Sequence, residues 1–309
     1  MIGNGSNDFF TRMSNIRNPE IDKAINSKDP YVICDLLERI RGGINNIYLK
    51  DLENAIVDTK DIVQIYEFMF MAVDMGIKGF DRARFESLIR ESKNPKLMCY
   101  CMEFVPGTDI EKMLISLEDT KNAKYMELLI NDEEYRDVLE TAKKIAPDYE
   151  AKVEAAKSFD YYPESLKQFI DLKGKVDELI GEIIATRNPH LVTELANYIE
   201  YLNEYKGTSY SLERLTKAQE ELQDPMQSYE YLSSVAVKDK SGLIDSVIRA
   251  KRVKFMYYTY EYVPNLTEEE KEYLRKSIMD SPRNQQNEKY KKFIQASIQN
   301  ENSQKEFCD

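Results

Sequence analysis

The segment SKNPKLMCYCMEFVPGTDIEK, from Ser92 to Lys112, contains the element that decides the fold. Its first four residues, Ser92-Lys93-Asn94-Pro95, are rewritten as SKDP at Ser27, TKDI at Thr59, TKNA at Thr120 and TRNP at Thr186. A Lys or Arg at the end of a helix complements the negative end of the helix dipole. The Asn or Asp that follows suits the N-cap of the next helix, where its side-chain oxygen accepts an otherwise unpaired backbone N–H. Proline then fits the first helical position, because its missing N–H would have had no partner there. The tetrapeptide therefore stops one helix and starts another, which makes it a building device and not a binding motif.

The copies begin at 27, 59, 92, 120 and 186, and the last gap is two intervals long. A degenerate copy, Ser158-Phe159-Asp160-Tyr161, falls inside that gap. Leu222-Gln223-Asp224-Pro225, Ala250-Lys251-Arg252-Val253 and Ser281-Pro282-Arg283-Asn284 continue the series. Nine turns at a mean spacing of about 32 residues match the period of helical-hairpin repeats. After each turn, apolar residues recur at one helical face: Leu97, Met98, Cys101, Met102 and Val105; Leu191, Val192, Leu195, Ala196 and Ile199; Phe255, Met256, Thr259, Tyr260 and Val263. Val105-Pro106-Gly107 and Val263-Pro264-Asn265 stop these helices, and capping boxes at Thr108–Glu111 and Thr267–Glu270 open the next ones. A single hairpin cannot bury so much apolar face, so hairpins must stack. The expected fold is all-α, an α-solenoid of about nine helical hairpins, with a contour on the order of 90 Å.

This alternation resembles the degenerate repeats of HEAT-like and tetratricopeptide-like solenoids, and similar tracts in uncharacterised proteins of low-GC bacteria and their phages. The resemblance spans roughly residues 22–296 and is one of repeat type. The early Trp of the tetratricopeptide signature is missing, since the chain has no Trp. The resemblance implies a binding scaffold and brings no catalytic residues with it. The expected organisation is a flexible segment at 1–21, repeats at 22–130, an irregular acidic joint at 131–175, further repeats at 176–296 and a polar tail at 297–309.

The net charge of -12 is uneven: residues 101–200 hold 12 Lys and Arg against 22 Asp and Glu. An acidic chain is ill-suited to phosphate backbones, which argues against nucleic acid as the direct ligand. No apolar run is long enough for a membrane span, and the first residues do not read as a signal peptide. Four cysteines, at 34, 99, 101 and 308, are too few and scattered for a disulfide framework, so a cytoplasmic setting is expected.

Residues suited to chemistry are sparse. His190 is the chain's one histidine and follows Asn188-Pro189, in the exposed first turn of a helix. Cys99 and Cys101 lie some 200° apart on their helix, Cys101 inward and Cys99 outward, and no second Cys or His pair completes a metal site. Gly3-Asn4-Gly5 follows no strand, and Glu268, Glu269 and Glu270 serve a helix start. No catalytic residue, cofactor or metal is expected.

The reading is a non-enzymatic protein–protein interaction scaffold or regulator whose partner presents a basic surface. One form of it is an inhibitor that covers the basic groove of a nucleic-acid-binding protein. The candidate partner-binding residues are Glu133, Glu134, Asp137, Asp148, Glu150 and Glu154 in the acidic stretch, with Tyr257 and Tyr258 from the tyrosine-rich helix FMYYTYEYV. Alternatives are a nucleic-acid-binding repeat protein, using Arg249, Lys251, Arg252 and Lys254 beside those tyrosines, and an enzyme with an unrecognised site.

Overall fold

The computed structural model describes residues 19–40, 46–282 and 285–306. These residues form eighteen α-helices and two 3-10 segments, with no strand among them. The chain divides into two compact units, Met1–Glu164 and Ser165–Asp309. In the first unit the repeated turns join α1 (Pro19–Ser27) to α2 (Pro30–Ile40), α3 (Asn46–Asp58) to α4 (Ile62–Asp74), α5 (Arg82–Ser92) to α6 (Pro95–Phe104) and α7 (Ile110–Thr120) to α8 (Ala123–Asn131). Helices α9 (Arg136–Ile145) and α10 (Tyr149–Lys157) follow. In the second, they join α11 (Val176–Thr186) to α12 (Pro189–Tyr205), α13 (Glu213–Leu222) to α14 (Pro225–Ser234) and α15 (Ser241–Arg249) to α16 (Val253–Tyr262); α17 (Glu268–Met279) and α18 (Gln285–Glu306) complete it.

Each faithful turn is closed by the same bonds. The Ser or Thr hydroxyl donates back to the carbonyl three residues earlier: Ser27 to Ala24, Thr59 to Ile56, Ser92 to Ile89, Thr120 to Leu117 and Thr186 to Ile183, all at 2.6 Å. The same oxygen accepts the N–H of the Asn or Asp two residues on, at 3.1–3.3 Å. That Asn or Asp caps the next helix, Asn94 accepting from Leu97 N–H and Asn122 from Tyr125 N–H. Between them the basic residue takes the left-handed conformation, with φ of 54° at Lys28, 59° at Lys60, 51° at Lys93, 58° at Lys121 and 53° at Arg187. Gln223 (54°) and Lys251 (56°) repeat it in the less faithful copies.

The copy at Ser158 fails. Its hydroxyl still reaches the Ala155 carbonyl, but Phe159, at the position of the left-handed basic residue, does not take a positive φ, and no α-helix starts at Asp160. The chain instead runs without regular structure to a 3-10 segment at Glu164–Leu172, where the boundary between units falls. The copy at Ser281 keeps its hydroxyl bond to Ile278, but residues 283 and 284 lie outside the described residues. The capping box at Thr267–Glu270 forms, whereas the one expected at Thr108 does not. There Asp109 is the cap, accepting from Lys112 N–H, and Thr108 bonds back to the Val105 carbonyl.

Within each unit the substantial packing runs from a helix to the next and the next but one: α4 on α5 and α6, α6 on α7 and α8, α14 on α15 and α16. The pattern continues through the acidic stretch, with α9 on α7 and α8, and α10 on α8. All fifteen residues of the three expected stripes are buried. Helices that follow a turn are also buried beyond that stripe: α4 from Val63 to Met69 without a break, and α14 from Pro225 to Leu232. They pack between two like helices as well as against those preceding the turns, whereas a helix such as α7 buries one narrow face, Met113, Leu114 and Leu117. This corrects the outward placement of Cys99, which is fully buried with its Sγ 3.5 Å from the Tyr125 carbonyl of α8.

Three substitutions separate the parts of the turn. Asn94→Ala removes a cap and should lower stability by about 0.5–2 kcal/mol. Lys93→Gly relieves left-handed strain of about 1–2 kcal/mol, offset by added unfolded-state entropy of about 0.4–1 kcal/mol, so the urea midpoint should hold or rise. Lys93→Val should lower it.

Candidate partner-binding site

The described residues hold no cluster of three or more His, Cys, Asp or Glu able to bind a metal. His190 is half-buried in the first turn of α12, less exposed than its position in sequence implied. Burial raises the pKa of the Cys99 and Cys101 thiols well above the usual range, which leaves them protonated and unreactive. Cys308 lies outside the described residues.

A groove of about 580 Å³ in the first unit is lined by Arg82, Glu86, Arg90, Asp109 and Lys112, and four of these groups pair among themselves. Arg82 Nε lies 3.2 Å from Glu86 Oε1, and its Nη1 donates to the Pro106 carbonyl across Gly107. Glu86 accepts the Asp109 N–H, and Lys112 pairs with Asp109 at 2.6 Å. Gly107 has a φ of +76°, the left-handed region that favours glycine, and an added Cβ would displace the Arg82 guanidinium, 2.5 Å away. Buried Glu53 makes the corresponding bond one repeat earlier, to the Asp81 N–H. The groove is a splint between repeats.

Glu133, Glu134, Asp137, Asp148, Glu150 and Glu154 are all exposed along α9, α10 and the short 3-10 segment Glu133–Tyr135. Four have basic neighbours: Glu133 with Arg136 (3.1 Å), Asp148 with Lys152 (3.4 Å), Glu150 with Lys143 (2.9 Å) and Glu154 with Lys157 (2.6 Å). Glu134 and Asp137 act instead on another carboxylate. Together with Asp132 they lie close enough to Glu103, in the last turn of α6, to raise its pKa, burial being the larger cause. The C-terminus of a helix already carries negative potential, which adds to the penalty on an ionised Glu103.

Tyr257 and Tyr258 are half-buried in an aromatic cluster. Tyr257 packs on Tyr290 and Phe293 of α18, and Tyr258 on Tyr229 of α14. Burial pushes the Tyr257 phenol up to about 12. Of the basic residues before them, Lys254 is buried over the Tyr258 ring and Arg249 pairs with Asp245.

The tyrosine cluster is one of two copies. DIVQIYEFM (61–69) matches DPMQSYEYL (224–232), KLMCYCMEFVP (96–106) matches KFMYYTYEYVP (254–264), and DPYVICDLL (29–37) matches NPHLVTELA (188–196). Side-chain geometry repeats with the letters. Lys96 Nζ lies 5.4 Å from the Tyr100 ring centre and Lys254 Nζ 5.4 Å from that of Tyr258. Tyr66 meets Tyr100 at 6.1 Å, as Tyr229 meets Tyr258 at 5.7 Å. Tyr100 stands edge-on to Phe104 at 5.7 Å and 67°, and Tyr258 to Tyr262 at 5.8 Å and 67°. Cys34 reaches the Gln64 carbonyl just as Thr193 reaches that of Gln227. Each cluster ends at an exposed ring, Phe104 (41% exposed) or Tyr262 (59%), preceded by a glutamate. The signal that could have found this pairing was in the sequence at intervals of 158–163 residues, a longer period than the turn spacing.

The Glu103 carboxyl supplies a pH test. Its folded pKa is raised, so its ionised form opposes folding above that pKa and the opposition fades as it is protonated. Glu103→Gln should therefore raise the thermal midpoint at neutral pH, and the gain over the parent should vanish on acidification through the carboxylate range. The chain matches no protein-family model, and no curated protein or solved structure matches it.

Proposed function

We propose that the chain is a non-enzymatic interaction scaffold or regulator, built as runs of stacked helical hairpins of α-solenoid type, that binds a protein through a basic surface. The observation that carries this reading is the carboxylate cluster Glu103, Asp132, Glu134 and Asp137. Burial first, and then Glu134, Asp137 and Asp132, raise the pKa of Glu103, so its ionised form works against the fold at neutral pH. A cationic partner would reverse the sign of that interaction, a pattern found where stability has been traded for binding. The exposed carboxylates of α9 and α10 extend the same negative surface. Such a surface suits an inhibitor that covers the phosphate-binding groove of a nucleic-acid-binding protein, since it presents the charge that the groove normally meets. The next-but-one packing within each unit supports the stacked-hairpin reading.

Charge reversal at Glu133, Glu134, Asp137, Glu150 and Glu154 tests this function. Proteins captured by the parent chain from its native host should be enriched in basic surfaces and released by salt. The reversed variant should lose them. Retention of the same partners by the variant, at every salt concentration, would overturn the reading.

A further inference from the structure

One gap interrupts the helix layers of the first unit. Helices that precede a repeated turn pack substantially on the next such helix in both units, except α3 and α5. Those two are tied by side chains, Lys50 to Asp81 at 3.5 Å and the Arg84 guanidinium to Asn54 at 2.9 Å. Beyond that tie, toward the helix C-termini, lies a groove of about 870 Å³ walled by Ile25, Val57, Ile62, Ile65 and Leu88. The second unit supplies the comparison. Ile65 matches Ser228, and Arg84 and Leu88, counted back from Lys96, match Gly242 and Ser246, counted back from Lys254. There the hydroxyls of buried Ser228 and Ser246 are hydrogen-bonded at 3.1 Å, and Glu220 lies so close over Gly242 that a Cβ would overlap it. Helices α13 and α15 accordingly pack on each other. In the first unit two aliphatic side chains replace the bonded serines and an arginine replaces the glycine, and this added bulk keeps the layer open.

Ile25, Ile62 and Leu88 are only half-buried, so apolar surface stays open in the groove. Its rim carries the exposed Lys28, Lys60 and Asp58, and neither ammonium pairs with a carboxylate among the described residues. Two cations against one anion leave the rim positive beside an apolar floor. The residue matching Lys60 in the second unit is the neutral Gln223. The groove falls in the range of about 300–1,000 Å³ that small-molecule sites occupy, and such sites are apolar with a few polar groups to fix the ligand's orientation. We propose that it binds a single-chain amphiphile with an anionic head, a fatty carboxylate, its alkyl chain on Ile62, Ile65 and Leu88 and its head at Lys28 and Lys60. This ligand is of a different class from the basic protein partner, and its site does not depend on that reading.

Decanoate, titrated into the full chain, should shift the NMR methyl signals of Ile62, Ile65 and Leu88 and leave those of Ile244 and Val247 in the second unit unmoved. Octanoate should bind about tenfold more weakly, because each fully buried methylene is worth about a fourfold change. Decyltrimethylammonium, with the same chain and the opposite charge, should bind more weakly than decanoate. Lys60→Gln, which copies the second unit, should weaken decanoate about threefold and leave decanol unchanged. The double substitution Ile65→Ser and Leu88→Ser should abolish binding. If that variant does not fold, the chain-length and Lys60→Gln comparisons decide. The proposal is overturned by no binding, by shifts spread over both units, by equal affinity for the two carboxylates, by a cation bound as tightly as decanoate, or by an unchanged affinity in Lys60→Gln.

Discussion

One hydroxyl oxygen governs the architecture. In each faithful turn the Ser or Thr side chain donates to the last turn of one helix and accepts from the N-cap residue of the next. It thereby fixes the direction in which the second helix leaves the first. The residue between must adopt a positive φ, and at Lys28, Lys60, Lys93, Lys121 and Arg187 the chain uses a cation where glycine would be less strained. The strain is offset locally, because a positive charge beside the terminal carbonyls is favourable. Repetition of one exit geometry gives successive hairpins the same neighbours, and the remaining packing follows from that.

Much of this was legible in the sequence because the turn is local. Helix ends, caps and stripes depend on residues within one or two turns of each other, and all three expected stripes are buried. The errors arise where tertiary packing decides. Cys99 lies outside its helix's expected stripe, yet it is buried because α6 packs between like helices on either side. Thr108 and Asp109 compete for one cap, and the aspartate takes it, freeing Thr108 to bond backwards. At Ser158 the hydroxyl bond forms, but the next residue is Phe159, and neither the left-handed step nor the N-cap follows. Of the candidate site, the acidic stretch was visible in composition, but the role of Glu103 was not. Its perturbation comes from burial and then from Glu134, Asp137 and Asp132, about thirty residues further along the chain.

The duplicated aromatic cluster places buried polar groups in each unit under the same constraints. Gln64 and Gln227 are both almost fully buried, and each has one side-chain amide atom without a hydrogen-bond partner. Lys96 and Lys254 are buried in the first turns of their helices, where a cation is unfavourable to the dipole, and each lies over a tyrosine ring. Glutamate at the opposite ends of the same helices completes a charge pattern reversed from the one that stabilises isolated helices. The same reversed pattern occurs in both units.

The central claim is that the hydroxyl-bridged turn is a closed, cooperative unit of structure. Amide hydrogen exchange measures this at the backbone N–H groups of Asp29, Asp61, Asn94, Asn122 and Asn188, which a sequence-based view would place in exposed connections. The account predicts protection at all five comparable to that of the flanking helices, lost together with them on unfolding. Exchange at the rate of an unstructured peptide would contradict it.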